Sequence, residues 1–206
     1  MSCGPAQEAP ATDAIEPVAR PVRSDARRNR ERIVVAASEI FASEATDIPL
    51  EEIARRAGVG IGTLYRNFET RDQLLEAVYR QRVESLCDNA PRLLDEREPI
   101  DALRAFLERL VAFSAETQGI APALRAIMST DSSAFDHGRA RMIGAIASLL
   151  TAATDHAVIR RDVSAEDVLR IMGGICADSG RPGWREQSLR LVDLIIDGLR
   201  YPALAP

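Results

Sequence analysis

The amino-acid sequence of this 206-residue chain predicts an all-α fold, and three observations carry that prediction. Apolar residues recur at three- and four-residue spacing from Ile33 to Leu199, and no stretch alternates every second residue as a half-buried strand would. Helix starts are signalled by Thr70 and by Ser164 with Asp167 at capping-box spacing. Nearly half the residues are apolar and the net charge is only −5, so a disordered polyelectrolyte is excluded over most of the length.

The elements follow in order. Residues 1–22 hold four prolines and few large apolar side chains, which predicts a disordered tail. A first helix runs through "RSDARRNRERIVVAASEIFASEA", with Ser24 as its cap and Ile33, Ala37, Ile40 and Phe41 inward. "PLEEIARRAG" predicts a short second helix: Pro49 suits a first turn, Glu51 and Glu52 suit the positive end, and Gly58 suits the exit. "AGVGIGTLYRNF" then places three glycines within five positions, and each glycine inside a helix costs about 1 kcal/mol relative to alanine. A long helix begins after Thr70, with Leu74, Leu75, Val78, Val83 and Leu86 as its stripe, and Pro91 bends or ends it. Further helices are expected over residues 100–117, 120–129, 135–154, from Ser164 onward, and through "REQSLRLVDLIIDGLR" up to Pro202.

A short helix, a tight glycine turn and a second short helix form a helix-turn-helix unit, whose second helix presents its N-terminal end to the DNA major groove. In that unit Gly58 leaves helix two with positive φ, and Gly60 occupies the cap position. Gly62 removes a side chain where the backbone approaches either a phosphate or the first helix. Val59, Leu64 and Phe68 are the apolar pegs; Thr63, Tyr65, Arg66 and Asn67 are the polar set left for DNA. Arg66 suits a guanine edge or a phosphate equally.

Charge is distributed accordingly. All 26 basic residues are arginine, so any phosphate contact comes from a guanidinium fork. Residues 20–82 carry 12 arginines against 10 acidic residues, whereas residues 83–206 carry 14 against 18. Only the first part suits a polyanion. The arginines from Arg23 to Arg32, with Arg27 and Arg28 as contact candidates, form either a DNA arm or a solvated helix end. Arg55 and Arg56 suit a surface near the DNA backbone better than base reading.

The run "IARRAGVGIGTLYRNFETRDQLLEAVY" closely resembles the DNA-binding domain of the TetR family of bacterial transcriptional regulators, and "RIVVAASEIFA" resembles that family's first helix. The resemblance covers about residues 27–80. It implies DNA contacts at Thr63, Tyr65 and Asn67 and at Arg71, which stands where the family usually has lysine. Pro49 stands where the family usually has a capping Ser or Thr, which removes a hydroxyl contact there. The implied organisation is a DNA-binding domain over residues 23–70 and a helical effector-binding and dimerisation domain over 71–206. The implied function is a homodimer, most simply a repressor, that binds a palindromic double-stranded operator and is released by a small-molecule effector of unknown identity. A constitutive DNA-binding adaptor is the alternative.

In the C-terminal part, "SLRLVDLIIDGLR" is apolar on more than one face, and such a helix must bury both. Val168, Met172, Ile175, Leu189, Val192, Ile196 and Leu199 are the expected dimer interface, with Gly173 and Gly174 allowing close approach. Phe106, Leu110, Phe113, Met128, Phe135, Met142 and Cys176 are candidates to line an effector pocket, or else ordinary core. Trp184 suits core or dimer packing. No metal site or cofactor is expected, because His137 and His156 have no partners at ligand spacing. No nucleophile–base pair or phosphate loop points to an enzyme. Cys3, Cys87 and Cys176 are widely spaced and odd in number, which suits a reduced cytoplasmic protein; Cys87 and Cys176 suit oxidant sensing or inert packing. No membrane span or export signal is expected, since no run of 18 apolar residues exists and the N-terminus has no apolar core.

Overall fold

The computed structural model describes residues 21–43, 48–130, 133–156, 159–177 and 179–200. These residues form α1 (Pro21–Ser43), α2 (Leu50–Ala57), α3 (Ile61–Asn67), α4 (Arg71–Cys87), α5 (Asn89–Glu96), α6 (Pro99–Thr117), α7 (Ala121–Thr130), α8 (Ser133–Asp155), α9 (Ala165–Cys176) and α10 (Trp184–Arg200). One 3₁₀ turn (Gln118–Ile120) joins α6 to α7, and no strand occurs among the described residues. No described helix is long and apolar enough to cross a membrane. The tail expected over residues 1–22 lies outside the described residues except for Pro21 and Val22, which open α1. Ser24 therefore lies within α1 rather than capping it.

The chain builds two apolar cores that meet along α4. The N-terminal core joins Ile33, Ile40 and Phe41 of α1, Ile53 of α2, Leu64, Phe68, and Leu74, Leu75 and Val78 of α4. Ile120, Leu124, Ile127 and Phe135 pack on the same cluster, so α7 and the start of α8 lie against the helix-turn-helix unit. The second core joins Val83, Leu86 and Cys87 of α4 to the inward stripes of α5, α6, α8, α9 and α10. Tyr79 sits between them and packs against both. Its ring stands 5.0 Å from Phe135 and 6.2 Å from Phe113, and Gly138 leaves it room, since a Cβ there would come within 3.2 Å of the Tyr79 ring. Pro91 does end the long helix: α4 stops at Cys87, and Pro91 falls in the first turn of α5, where its missing N–H costs no helix bond.

Local signals act where the chemistry requires them. Gly58 ends α2 with φ 63° and ψ 37°, a left-handed conformation, and the N–H of Val59 donates to the Ala54 carbonyl at 3.0 Å. Pro49 stands just outside α2 as its cap, with φ −59° and ψ 145°, rather than within the first turn. The Thr70 hydroxyl accepts from the Gln73 N–H at 3.2 Å, and Ser164 and Asp167 form the complete capping box of α9.

Several expected faces turn out differently. Met172, Val192 and Ile196 are buried within the chain's own bundle, and Val168 and Leu199 are buried there too but border an apolar groove between α9 and α10. The inward stripe of α10 runs Trp184, Ser188, Val192, Ile196 and Leu199, so the outward apolar residues are Leu191, Leu194 and Ile195. Among the expected pocket residues, Met128 is 46% exposed and Phe135 belongs to the N-terminal core. Phe106 and Leu110 are packed in the second core, with Phe113, Met142 and Cys176 against it. These seven do not line one cavity.

Candidate nucleic-acid interface

The recognition helix α3 has seven residues, and Gly60 precedes it as cap with no side-chain hydrogen bond. The Gly60 carbonyl accepts from the N–H groups of Thr63 at 2.8 Å and Leu64 at 3.1 Å, which closes the first turn. Leu64 and Phe68 are completely buried and Val59 packs against the same core. Burying each large apolar side chain contributes roughly 1.5–3 kcal/mol, and this holds a short helix whose propensity is lowered by Gly62. A helix this short is not stable alone.

Burial of Leu64 and Phe68 turns the opposite side of α3 outward. Ile61, Gly62, Tyr65 and Arg66 are exposed, with Thr63 and Asn67 half-buried at the flanks. A Cβ at Gly62 would meet nothing within 4 Å, so this glycine does not serve close contact with α1. Tyr65 is 46% exposed beside the exposed Ile61, which leaves its ring and hydroxyl open to a partner. The Arg66 Nη2 donates to the Thr63 hydroxyl at 3.0 Å, and the Asn67 amide donates to the Thr63 carbonyl at 2.8 Å. Thr63, Tyr65, Arg66 and Asn67 thus belong to one hydrogen-bonding face or its edge.

The arginines around this face divide by role. Arg27 is exposed and pairs with Glu31 at 3.4 Å, and Arg28 is exposed. Arg30 and Arg32 instead reach inward to the helix-turn-helix backbone. The Arg30 Nη1 donates to the Asn67 carbonyl at 2.8 Å, and its guanidinium lies 4.1 Å from the centroid of the Phe68 ring. Partial burial and the neighbouring Arg80 charge push the Arg30 pKa below the usual arginine value. The Arg32 Nη2 donates to the Gly58 carbonyl at 2.8 Å. Sequence spacing did not expose these two contacts, which join residues 37 and 26 positions apart.

Arg71 departs from its expected outward placement at the start of α4. Its Nη1 donates to the Ile48 carbonyl at 2.7 Å, its guanidinium lies 5.8 Å from the Phe41 ring centroid, and its Nη2 is buried without a partner among the described residues. The carbonyl and the ring at the end of α1 draw the side chain inward. Arg55 and Arg56 are also engaged, both on Glu52. Hydrogen bonds from Arg55, then from Arg56, hold the Glu52 carboxyl down to about 2. Farther along α4, Arg82 donates to the Ser38 hydroxyl at 3.0 Å, the Ser38 carbonyl at 2.6 Å and the Glu116 carbonyl at 2.8 Å. It therefore joins α1, α4 and the end of α6.

Away from the interface, an apolar groove of about 440 Å³ runs between α9 and α10, with Ile171 at 48% and Leu194 at 65% exposed. Of the residues expected at a dimer interface, the half-buried Ile175 and the buried Val168 and Leu199 line this groove. Leu189 is also half-buried. The indole of Trp184 is buried and donates to the Ile175 carbonyl at 2.7 Å, which fixes the angle between these two helices. No group of three or more His, Cys or carboxylate side chains able to hold a metal occurs among the described residues. Burial pushes the Cys87 thiol up to about 11 and raises Cys176 as well, so neither is a reactive thiolate near neutral pH.

Comparison with known proteins agrees with this geometry. Residues 33–78 match the family model described as bacterial regulatory proteins, tetR family. Residues 98–201 match that of the transcriptional regulator SbtR-like C-terminal domain. A TetR transcriptional regulator of known structure from Streptomyces coelicolor is 43% identical, over 83% of this chain and 98% of that one, with a TM-score of 0.70. Thermus thermophilus FadR, a TetR-family repressor solved with lauroyl-CoA, is 25% identical over 86% of this chain and 98% of that one, with a TM-score of 0.58. An HTH-type transcriptional regulator of Staphylococcus aureus is 26% identical over 107 residues, 51% of this chain, and the match spans 58% of that relative's length. With both halves matched and a neighbour aligned over nearly its whole length, this chain belongs to the TetR family of bacterial transcriptional regulators.

Proposed function

We propose that this chain is a homodimeric repressor that binds a palindromic DNA operator and is released by a small-molecule effector. The observation that carries the DNA reading is α3: two buried pegs hold it, and Tyr65 and Arg66 face outward with Thr63 and Asn67 beside them. In this reading Tyr65 and Arg66 reach the major groove, Thr63 and Asn67 flank them, and the exposed Arg28, with Arg27 on leaving its Glu31 partner, approaches the phosphates. The apolar groove between α9 and α10 supports pairing of two chains through a four-helix contact. A twofold dimer places two recognition helices about one DNA turn apart, roughly 34–36 Å.

Release requires an effector that binds the two dimer geometries with different affinity. The lever in this proposal is α4, whose first half belongs to the N-terminal core and whose second half belongs to the bundle core. Arg82 supports that role, since a shift of α6 pulls on the Glu116 carbonyl that it holds. The lauroyl-CoA bound by Thermus thermophilus FadR supports an effector of some kind here, without specifying its chemistry. One observation favours the constitutive adaptor instead: the expected pocket residues Phe106 and Leu110 are packed in the core, while Met128 faces solvent.

Selection of bound sequences from random DNA by the wild-type protein tests the proposal. A twofold-symmetric site is expected, bound with an affinity that falls steeply with salt. Tyr65→Ala should weaken that binding by about a hundredfold or more while dimer and melting temperature stay unchanged. Selection of no palindrome sinks the regulator reading. A screen of small molecules for release of the selected DNA separates repressor from adaptor.

A further inference from the structure

A recognition helix of seven residues, uncapped by any side chain and carrying a glycine at its second position, does not set its own orientation. Leu64 and Phe68 fix its depth in the core, and Val59 packs in the same core just before it. Apolar pegs are not directional, and the directional restraints come from α1. Arg32 donates to the carbonyl of Gly58, the residue at which α2 ends in a left-handed conformation. Arg30 donates to the carbonyl of Asn67, the last residue of α3, and covers the ring of Phe68. The segment Gly58–Asn67 contains the whole turn and the whole recognition helix, and α1 grips it at both ends.

We infer that Arg30 and Arg32 are positioning residues for DNA recognition, which set the pitch of α3 without touching DNA themselves. Both carbonyls lie at helix ends, where intrahelical donors run out, so an external donor satisfies an otherwise free acceptor. A guanidinium suits the task because its charge strengthens the hydrogen bond and its flat face stacks on an aromatic ring. Lysine could reproduce the charge and one hydrogen bond but not the planar stacking over Phe68. Of the arginines from Arg23 to Arg32, the ones assigned this internal role are those two. Arg27, paired with Glu31 on its own helix, and Arg28 serve as the contrast; all four arginines are exposed, and the difference is in what they reach. The inference rests on α3 being the DNA-reading helix.

The test uses the full-length protein and the operator that it selects. Arg30→Gln and Arg32→Gln should each weaken operator binding by about tenfold, the loss expected from one charge-assisted hydrogen bond. The slope of log affinity against log salt should stay at the wild-type value, since no phosphate contact is lost. The ratio of specific to non-specific binding should fall with the affinity. Arg30→Lys should recover part of the loss. A slope reduced by about 0.9, the signature of one lost phosphate contact, would overturn the inference, as would unchanged affinity. A loss of overall helicity or of the dimer's melting temperature in both variants would overturn it too, by making the pair general structural supports.

A second readout needs no DNA. Amide hydrogen exchange across residues 63–68 should accelerate in Arg30→Gln and stay at the wild-type rate in Arg28→Gln. Unchanged protection in Arg30→Gln would overturn the inference even if the wild-type protein selected no operator, so the two readings fail separately.

Discussion

At the DNA-binding end, α3 has seven residues and is anchored by Leu64, Phe68 and two arginine contacts from α1. At the far end, α10 has 17 residues and is anchored by Trp184, Val192, Ile196 and Leu199 in a core shared with α6 and α9. The first helix exposes Tyr65 and Arg66 beside Ile61 and Gly62, and arginines of α1 donate hydrogen bonds to the carbonyls at the two ends of its segment. The second has core to spare and leaves Leu194 exposed on its other side. Orientation at the reading end therefore rests on a few polar contacts, which change geometry at small energetic cost. Orientation at the far end rests on apolar packing, which does not. The proposed release by an effector calls for that division, because in it the DNA-reading unit responds while the bundle stays intact.

The comparison breaks most visibly at α10. Ile196→Ala removes a fully buried side chain and should destabilise the protein by about 2–5 kcal/mol, measured by denaturant unfolding. Leu194→Glu alters a residue that is 65% exposed in one chain and should leave the monomer's fold intact. It should instead shift sedimentation from dimer toward monomer. If Leu194→Glu remained fully dimeric at micromolar concentration, the outward face of α10 would not be the pairing surface.

At the other end, Gly58→Ala should cost about 1–2 kcal/mol, because an alanine at φ 63° is strained. The added methyl would also press on the Arg32 guanidinium, which must then leave the Gly58 carbonyl. Operator affinity should fall further than stability alone explains. Equal affinity at lowered stability would show that the Arg32 contact contributes nothing to recognition.

These two regions also differ in how far the amino-acid sequence disclosed them. The turn and recognition helix were legible because their determinants are local: Gly58 exits α2, Gly60 precedes α3, Thr70 caps α4, and Leu64 and Phe68 are the pegs. The C-terminal helices were legible as helices but not as faces. α10 carries two apolar stripes of similar strength, and the one that won contains Ser188, a polar residue that disguised it. Met172 and Val168 were assigned to a partner and belong to the chain's own core for the same reason: periodicity marks an apolar face without saying what covers it. Arg30, Arg32 and Arg71 lay beyond local reasoning altogether. Each reaches a backbone carbonyl 37, 26 or 23 positions away, and a carbonyl has no sequence signature.

Helix starts refine the same contrast at smaller energies. Neither α2 nor α3 has a side-chain cap, whereas α9 begins with a full capping box: the Asp167 N–H donates to the Ser164 hydroxyl at 3.1 Å, and the Ser164 N–H donates to the Asp167 carboxylate at 3.1 Å. The Ser164 hydroxyl also donates to the Asp167 carboxylate at 2.6 Å, and this bond, then the one from the Ser164 N–H, holds the carboxyl below its usual range. Ser164→Ala should therefore lower stability by about 1 kcal/mol, the ordinary loss of an N-cap. Because α9 meets the bundle and not the DNA-binding unit, operator affinity measured well below the melting temperature should not change. A drop in affinity without a matching drop in stability would mean that the start of α9 communicates with α3. The two ends would then not be as separable as their cores suggest.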